Sequence, residues 1–204
     1  MSDRSELIEL HNRLSKTLDE ERGAAREKRY EKGYRTAREN LDDLVDKDSF
    51  VEYGQLAIAA QKSRRELEEL RTETAADGII TGFGKINSEI LDDKKALSAI
   101  IINDYSVLAG TQGYYHHKKL DRICETAEKQ NLPVVMYTEG GGGRPGDTDV
   151  HVQFAGLNIP SFSNWAKLKG KSLRIAVNNG YCFAGNAALF GTADFCISTK
   201  NSWL

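Results

Sequence analysis

Apolar residues are spread unevenly along this chain. In residues 3–32 they are sparse, and Leu7, Leu10, Leu14 and Leu18 recur at helical spacing among Glu, Arg and Lys. That pattern predicts one amphipathic helix with a narrow stripe, packed on a partner subunit or along its own domain. Thr36 and Glu39 have the spacing of a capping box, so a helix should start there and end near Asp46, with 49–53 extended. Residues 54–77 are helix-forming and charged, with small residues at Ala57, Ala59 and Ala60, and read as a surface excursion or a second helical segment.

From residue 78 the apolar residues gather into short runs. Residues 79–86 (Ile79-Ile80-Thr81-Gly82-Phe83-Gly84-Lys85-Ile86) predict a strand, 87–95 a polar turn, and Ala99-Ile100-Ile101-Ile102 a second, buried strand. A glycine-bearing loop over 109–113 precedes a helix over 114–130, stopped by Asn131 and Pro133. Pro133 to Tyr137 is a third strand and runs into Gly140-Gly141-Gly142-Gly143. In 149–168, Phe154, Leu157, Phe162 and Trp165 can form an apolar face that Pro160 interrupts. Residues 173–177 and 194–198 predict strands around a short helix over 184–190. Strands alternating with helices imply an α/β domain with parallel pairing.

Composition narrows the function classes. With 204 residues, 40% hydrophobic and 28% charged, the chain has enough material for one domain and an appendage. A net charge of −2 argues against a general nucleic-acid or membrane-surface role. No apolar stretch is long enough to span a bilayer, and the first residues carry no apolar signal core, so a cytoplasmic location is expected. Cys124, Cys182 and Cys196 are scattered and read as buried small hydrophobes. His11, His116, His117 and His151 show no metal-ligand spacing, so no metal site is expected.

The candidate chemistry lies in two glycine loops at successive strand ends, the edge where α/β sheets bind ligands. Gly141-Gly142-Gly143-Arg144-Pro145-Gly146 formally fits G-x-G-x-x-G. Pro145 stands where the helix should start, and no acidic residue lies near the ribose-binding offset, so a dinucleotide site is not expected. A P-loop lacks its Gly-Lys-Ser/Thr. The second loop, 180–188, has small residues that open a helix, whose first N–H groups are unsatisfied donors. Two such loops brought together would make an oxyanion hole from main chain alone. Taken singly, the loops also fit a flexible surface turn and close helix–strand packing.

Three motifs resemble the carboxyltransferase component of biotin-dependent acyl-CoA carboxylases, of the acetyl-/propionyl-CoA carboxylase type and specifically its N-terminal half. Thr36-Ala37-Arg38-Glu39 through Phe50-Val51-Glu52-Tyr53 is similar to T-A-R-E-R-I-x-x-L-x-D-x-x-S-F-x-E. Glu139 to Arg144 resembles D-S-G-G-A-R, and 180–195 resembles G-x-x-A-G-G-A followed by A-D-F. Residues 109–119 are also similar to G-G-S-x-G-x-x-x-x-K-K.

The resemblance implies a crotonase-like (ClpP/crotonase) spiral of ββα units. An N-terminal helical extension would cover 1–35, and an acyl-CoA-binding domain, apparently truncated, 36–204. It implies that CO₂ passes from carboxybiotin to the α-carbon of an acyl-CoA through a thioester enolate, with no catalytic Ser, His or Cys. By position, Gly142 and Gly143 supply one side of the oxyanion hole and Ala184 and Gly185 the other. Gly141, Arg144, Lys118, Lys119 and Asn186 become substrate-binding residues. For the lysine pair the resemblance implies contact with CoA phosphates, whereas the residues alone equally fit a solvated helix face.

The implied cofactor is biotin, carried on a partner domain or subunit. The implied partners are biotin carboxyl carrier and biotin carboxylase components and a second carboxyltransferase domain, in a homo- or hetero-oligomer. Gly140 and Gly143 replace Ser and Ala of the pattern, which predicts a more mobile loop, and Asn186 replaces a small residue, which predicts a reshaped acyl pocket. Two other functions stay open: another crotonase-fold CoA-thioester enzyme, a decarboxylase or hydratase, and a non-catalytic assembly module of a carboxylase complex.

Overall fold

The computed structural model describes residues 4–150 and 159–204. Its centre is a six-stranded sheet: β1 (Val51–Tyr53), β2 (Ile79–Lys85), β3 (Leu97–Asn103), β4 (Val134–Tyr137), β6 (Arg174–Asn178) and β8 (Phe195–Ser198), side by side in that order. Two more strands, β5 (Gly140–Gly141) and β7 (Cys182–Phe183), form a separate parallel pair.

Parallel pairing holds for β3–β4, β4–β6 and β6–β8, each joined through a helix: α6 (Tyr114–Gln130), α7 (Ser161–Lys167) and α8 (Ala184–Gly191). It fails at β1–β2 and β2–β3, which are antiparallel. The β2–β3 connection is too short for a crossover. The predicted polar turn there contains one helical turn, α5 (Asp93–Ala96), capped by Asp92, whose carboxylate accepts the Lys95 N–H at 3.0 Å.

The isoleucine run of β3 is apolar without alternation because the strand is covered on both faces. Ile101 packs with Leu120, Ile123, Met136, Trp165 and Leu189 under the crossover helices. Ile100 and Ile102 pack with Leu41 and Ile80 beneath α3 (Ala37–Leu44). Each such isoleucine contributes about 1.5–3 kcal/mol through burial.

Local signals set several boundaries as expected. The Thr36 hydroxyl accepts the Glu39 N–H at 3.0 Å, and the Glu39 carboxylate accepts the Thr36 N–H at 2.8 Å, completing the capping box. Helix α3 stops two residues before Asp46. Helix α6 has the predicted limits, closed by Asn131 in the left-handed conformation at φ 53°. Pro160 is the residue that starts α7.

Other expectations are corrected. The single amino-terminal helix is two, α1 (Ser5–Ser15) and α2 (Gly23–Tyr30), separated by a turn in which the Thr17 hydroxyl donates back to the Leu14 carbonyl. Leu7 and Leu10 remain exposed, whereas α2 docks through a buried arginine, Arg29. Residues 54–77 are no surface excursion: Ala59 and Ala60 are buried and only α4 (Leu67–Glu73) is α-helical. Cys124 and Cys182 are buried, but Cys196 is exposed on the edge strand β8. His151, Phe154 and Leu157 lie outside the described residues. Among the described residues no helix is long and apolar enough to cross a membrane, and no cluster of ligating side chains could hold a metal.

Candidate functional site

The two glycine loops meet. Beyond β4 the chain turns through Thr138 and Glu139 into β5; beyond β6 it turns through 179–181 into β7. β5 and β7 run parallel, with Gly140 opposite Cys182 and Gly141 opposite Phe183. The Gly140 N–H donates to the Tyr181 carbonyl at 2.6 Å. The approach is possible only for glycine, since a Cβ on Gly141 would lie 2.5 Å from the Phe183 carbonyl oxygen. Residues 142–143 and 184–185 therefore leave the ends of one strand pair side by side.

A third segment closes the group. Gln112 pairs with Gly143: its N–H donates to the Gly142 carbonyl at 2.9 Å, and its carbonyl accepts the Arg144 N–H at 3.0 Å. The Gln112 side chain donates to Asn186 at 2.5 Å. The buried Asn186 amide donates to the carbonyls of Glu139 at 2.7 Å and Gly110 at 3.3 Å. Asn186 thus knots all three segments together, and its polar atoms are taken up within the protein.

The main-chain donors are not equivalent. The register turns the Gly142 N–H toward β7, on the side of the Phe183 carbonyl. The Gly143 N–H points the other way from its bridge to Gln112. Among the described residues neither the Gly142 nor the Gly143 N–H makes a hydrogen bond, and neither do the N–H groups of Ala184 and Gly185 at the start of α8. Gly142 also supplies the turn, at φ 72°. Nothing lies within 4 Å of where a Cβ would sit on Gly142 or Gly143, so this side of the cradle is open. Phe162 and Phe183 border it: the Phe162 ring comes within 3.1 Å of a Cβ built on Gly185, and the Phe183 Cβ within 2.8 Å of one built on Gly141, with the Phe183 ring stacked on Tyr181 at 6.1 Å. Both phenylalanines are partly exposed, at 40% and 48%.

Arg144 faces inward. Its guanidinium pairs with Asp77, lies 3.6 Å from Asp147 and donates to the Thr111 carbonyl at 2.7 Å. The two carboxylates accept N–H groups from the first turn of α6: Asp147 from Tyr114 at 2.8 Å and Asp77 from His116 at 2.7 Å. Burial raises the Asp77 carboxyl despite Arg144. The chain after Gly143 is thereby fixed to the start of α6.

The lysine pair splits. Lys119 is buried, donates to the Ala76 carbonyl at 2.9 Å and to the Ile79 carbonyl, and is pulled down by burial to about 8. Lys118 is exposed, with its ammonium 5.4 Å from the Tyr114 ring centroid, and lines a groove of about 290 Å³ with Tyr53, Tyr115 and Arg122. Of the predicted site residues, Gly141, Gly142, Gly143, Ala184, Gly185 and Asn186 come together, whereas Lys118, on α6, lines a groove that contains no residue of either loop, and Arg144 and Lys119 turn into the protein. Gln112, Phe162 and Phe183 belong to the same group and went unmarked. Nothing in local periodicity says that Gln112 bridges Gly143.

The chain matches the carboxyl transferase domain family over residues 28–204. It is 31% identical to the biotin-dependent acetyl-/propionyl-coenzyme A carboxylase beta5 subunit of Mycobacterium leprae, over 94% of this chain and 32% of that protein. It is 28% identical to the methylmalonyl-CoA decarboxylase subunit alpha of Veillonella parvula, over 95% of this chain and 35% of that one. The solved structure of a single-chain, multi-domain long-chain acyl-CoA carboxylase superposes with a TM-score of 0.92 at 48% identity, covering 98% of this chain and 20% of that chain. The chain spans about a third of the length of the curated relatives it matches. It belongs to the carboxyl transferase domain family.

Proposed function

We propose that this chain is the acyl-CoA-binding half of a biotin-dependent carboxyltransferase, in which residues 36–204 form a crotonase-like domain. The observation that carries the reading is the set of unpartnered main-chain donors at Gly143, Ala184 and Gly185, gathered at the ends of one strand pair. A thioester oxygen placed among them gains hydrogen bonds as negative charge builds on it, while a ground-state carbonyl gains less. That difference lowers the barrier to removing the α-proton and forming an enolate.

The chain's other residues orient the thioester. Gln112 and Asn186 hold the two loops at fixed spacing, and the Arg144–Asp77 pair anchors the far end of the first loop. Phe162 and Phe183 offer apolar surface to an acyl chain, and Lys118 is the cation of the lysine pair left free for a CoA phosphate. The open, Cβ-free side at 142–143 fits a planar thioester. Biotin, carried on a partner domain or subunit, would supply the carboxyl group, and no residue of this chain is assigned to hold it.

A second reading, decarboxylation of an acyl-CoA acid, is favoured by the likeness to the Veillonella decarboxylase subunit. It would use the same cradle for the same enolate. The test is Gly143→Val in the complete enzyme. The new side chain enters open space, so the protein should fold while carboxylation falls at least about 100-fold, the scale of losing one oxyanion donor. Normal carboxylation by this variant would sink the assignment.

A further inference from the structure

Glu139 opens the first glycine loop, and its side chain is 2% exposed. One Arg29 nitrogen, reaching in from α2, lies 2.8 Å from one carboxylate oxygen and 2.7 Å from the other. The carboxylate lies flat against the second loop: a Cβ on Gly180 would come 2.7 Å from the Glu139 carboxyl carbon. The guanidinium also donates to the Arg35 carbonyl at 2.9 Å and sits 5.1 Å from the Tyr34 ring and 5.8 Å from the Tyr105 ring. Both rings pack on Tyr181, at 5.8 and 6.0 Å. Tyr181 is the residue whose carbonyl holds Gly140. The ion pair therefore joins the first loop to the second at Gly180 and reaches Tyr181 through the rings of Tyr34 and Tyr105, and its arginine comes from a helix outside the α/β layers.

We propose that Glu139, held by Arg29, is a positioning residue that sets the spacing of the two glycine loops, making α2 part of the acyl-thioester site. The inference rests on the acyl-CoA reading above. A buried pair is weak evidence for stability alone, since desolvation offsets much of its attraction. Here its geometry links three segments that no other charge pair joins among the described residues. The groups that face Glu139 are Arg29 from α2, Tyr34, Tyr181 from the second loop, and Asp104, itself paired with Arg22 at 2.7 Å. Burial, opposed by Arg29, pushes the Glu139 carboxyl up to about 7. The clamp should therefore weaken within the neutral range.

The experiment compares wild type, Glu139→Gln and Glu139→Asp in two readouts. The first is amide hydrogen exchange without ligand. In Glu139→Gln the amides of Gly140, Gln112 and Arg144 should exchange at least tenfold faster while those of β3 and β4 keep their protection. The second is the affinity ratio between an acyl-CoA and the matched CoA thioether lacking the carbonyl. In wild type this ratio should fall as pH drops through 7. In Glu139→Gln it should be low and independent of pH, and Glu139→Asp should restore part of it together with its pH dependence. Unchanged exchange and an unchanged ratio in Glu139→Gln would overturn the proposal. Faster exchange in a protein whose wild type does not distinguish thioester from thioether would leave the clamp standing and remove the acyl-CoA reading.

Discussion

The N–H of Gly140 donates to the carbonyl of Tyr181 at 2.6 Å, joining the loop after β4 to the loop after β6. Around that bond the sheet edge is built from main chain. Side chains such as Asn186 and Gln112 tie the backbone together rather than face outward.

The glycines should respond in graded fashion. At Gly140, φ is 85° and a Cβ would run into the backbone of Gly110, with Ala109 carbonyl oxygen at 2.7 Å. Gly140→Ala should cost about 2–5 kcal/mol from combined strain and overpacking. Gly142→Ala meets no neighbour but keeps φ at 72°, so about 1 kcal/mol is expected. Gly143→Ala has neither problem and should stay within about 0.5 kcal/mol. Urea denaturation of the three variants checks the order.

Ala184 opens α8 with φ at 46°, a left-handed conformation that costs an alanine about 1 kcal/mol. Ala184→Gly should therefore be neutral or stabilising by up to about 1 kcal/mol, against the usual penalty for glycine in a helix. A loss above about 1 kcal/mol in chemical denaturation would contradict the strained geometry.

Arg144 should behave as an internal strut. Arg144→Met strands Asp77 in the interior and should cost about 3–5 kcal/mol. Lys118→Met should leave stability within about 0.5 kcal/mol and weaken CoA binding. Thermal melts and CoA titrations separate the two roles.

Stability should fall on mild acidification. Burial, aided by Arg144, lowers His117 from 6.5 to about 4, and His116 moves in the same direction. Between pH 6.5 and 4 the unfolded chain binds the extra proton, so His117 alone removes about 3 kcal/mol as pH falls, at 1.36 kcal/mol per pH unit. His117 sits 2.8 Å from the Ser161 hydroxyl, near Arg144, Asp147 and Lys118. Glu139 acts with the opposite sign: its carboxyl rises from 4.5 to about 7, so the folded chain takes its proton first and gains stability as pH drops from 7 to 4.5. Two imidazoles outweigh one carboxyl. Denaturant titrations from pH 7 to 4.5 should show a net loss, steeper in Glu139→Gln.

Much of this was legible in the sequence because the signals were local. The capping box at Thr36 and Glu39, the limits of α6 and the strand runs each depend on residues a few positions apart. The antiparallel β2–β3 pair was misread because alternation alone ignores how short its connection is. The glycine loops could be assigned to one site, but their donors could not be ranked. Which way the Gly142 and Gly143 N–H groups point depends on the register of β5 against β7 and on Gln112, thirty residues before Gly142. Arg144 and Lys119 were misplaced for a related reason. A charged residue beside a ligand loop looks the same in sequence whether it faces a phosphate or a buried carboxylate such as Asp77.

The most direct measurement is a calorimetric titration of this chain with free CoA, an acyl-CoA and the matched thioether. A formed main-chain cradle predicts that the acyl-CoA binds at least tenfold more tightly than the thioether, and that Gly143→Val erases the difference while CoA itself binds as before. Equal affinity for thioester and thioether in the folded wild-type chain would contradict the claim that these loops hold a thioester oxygen.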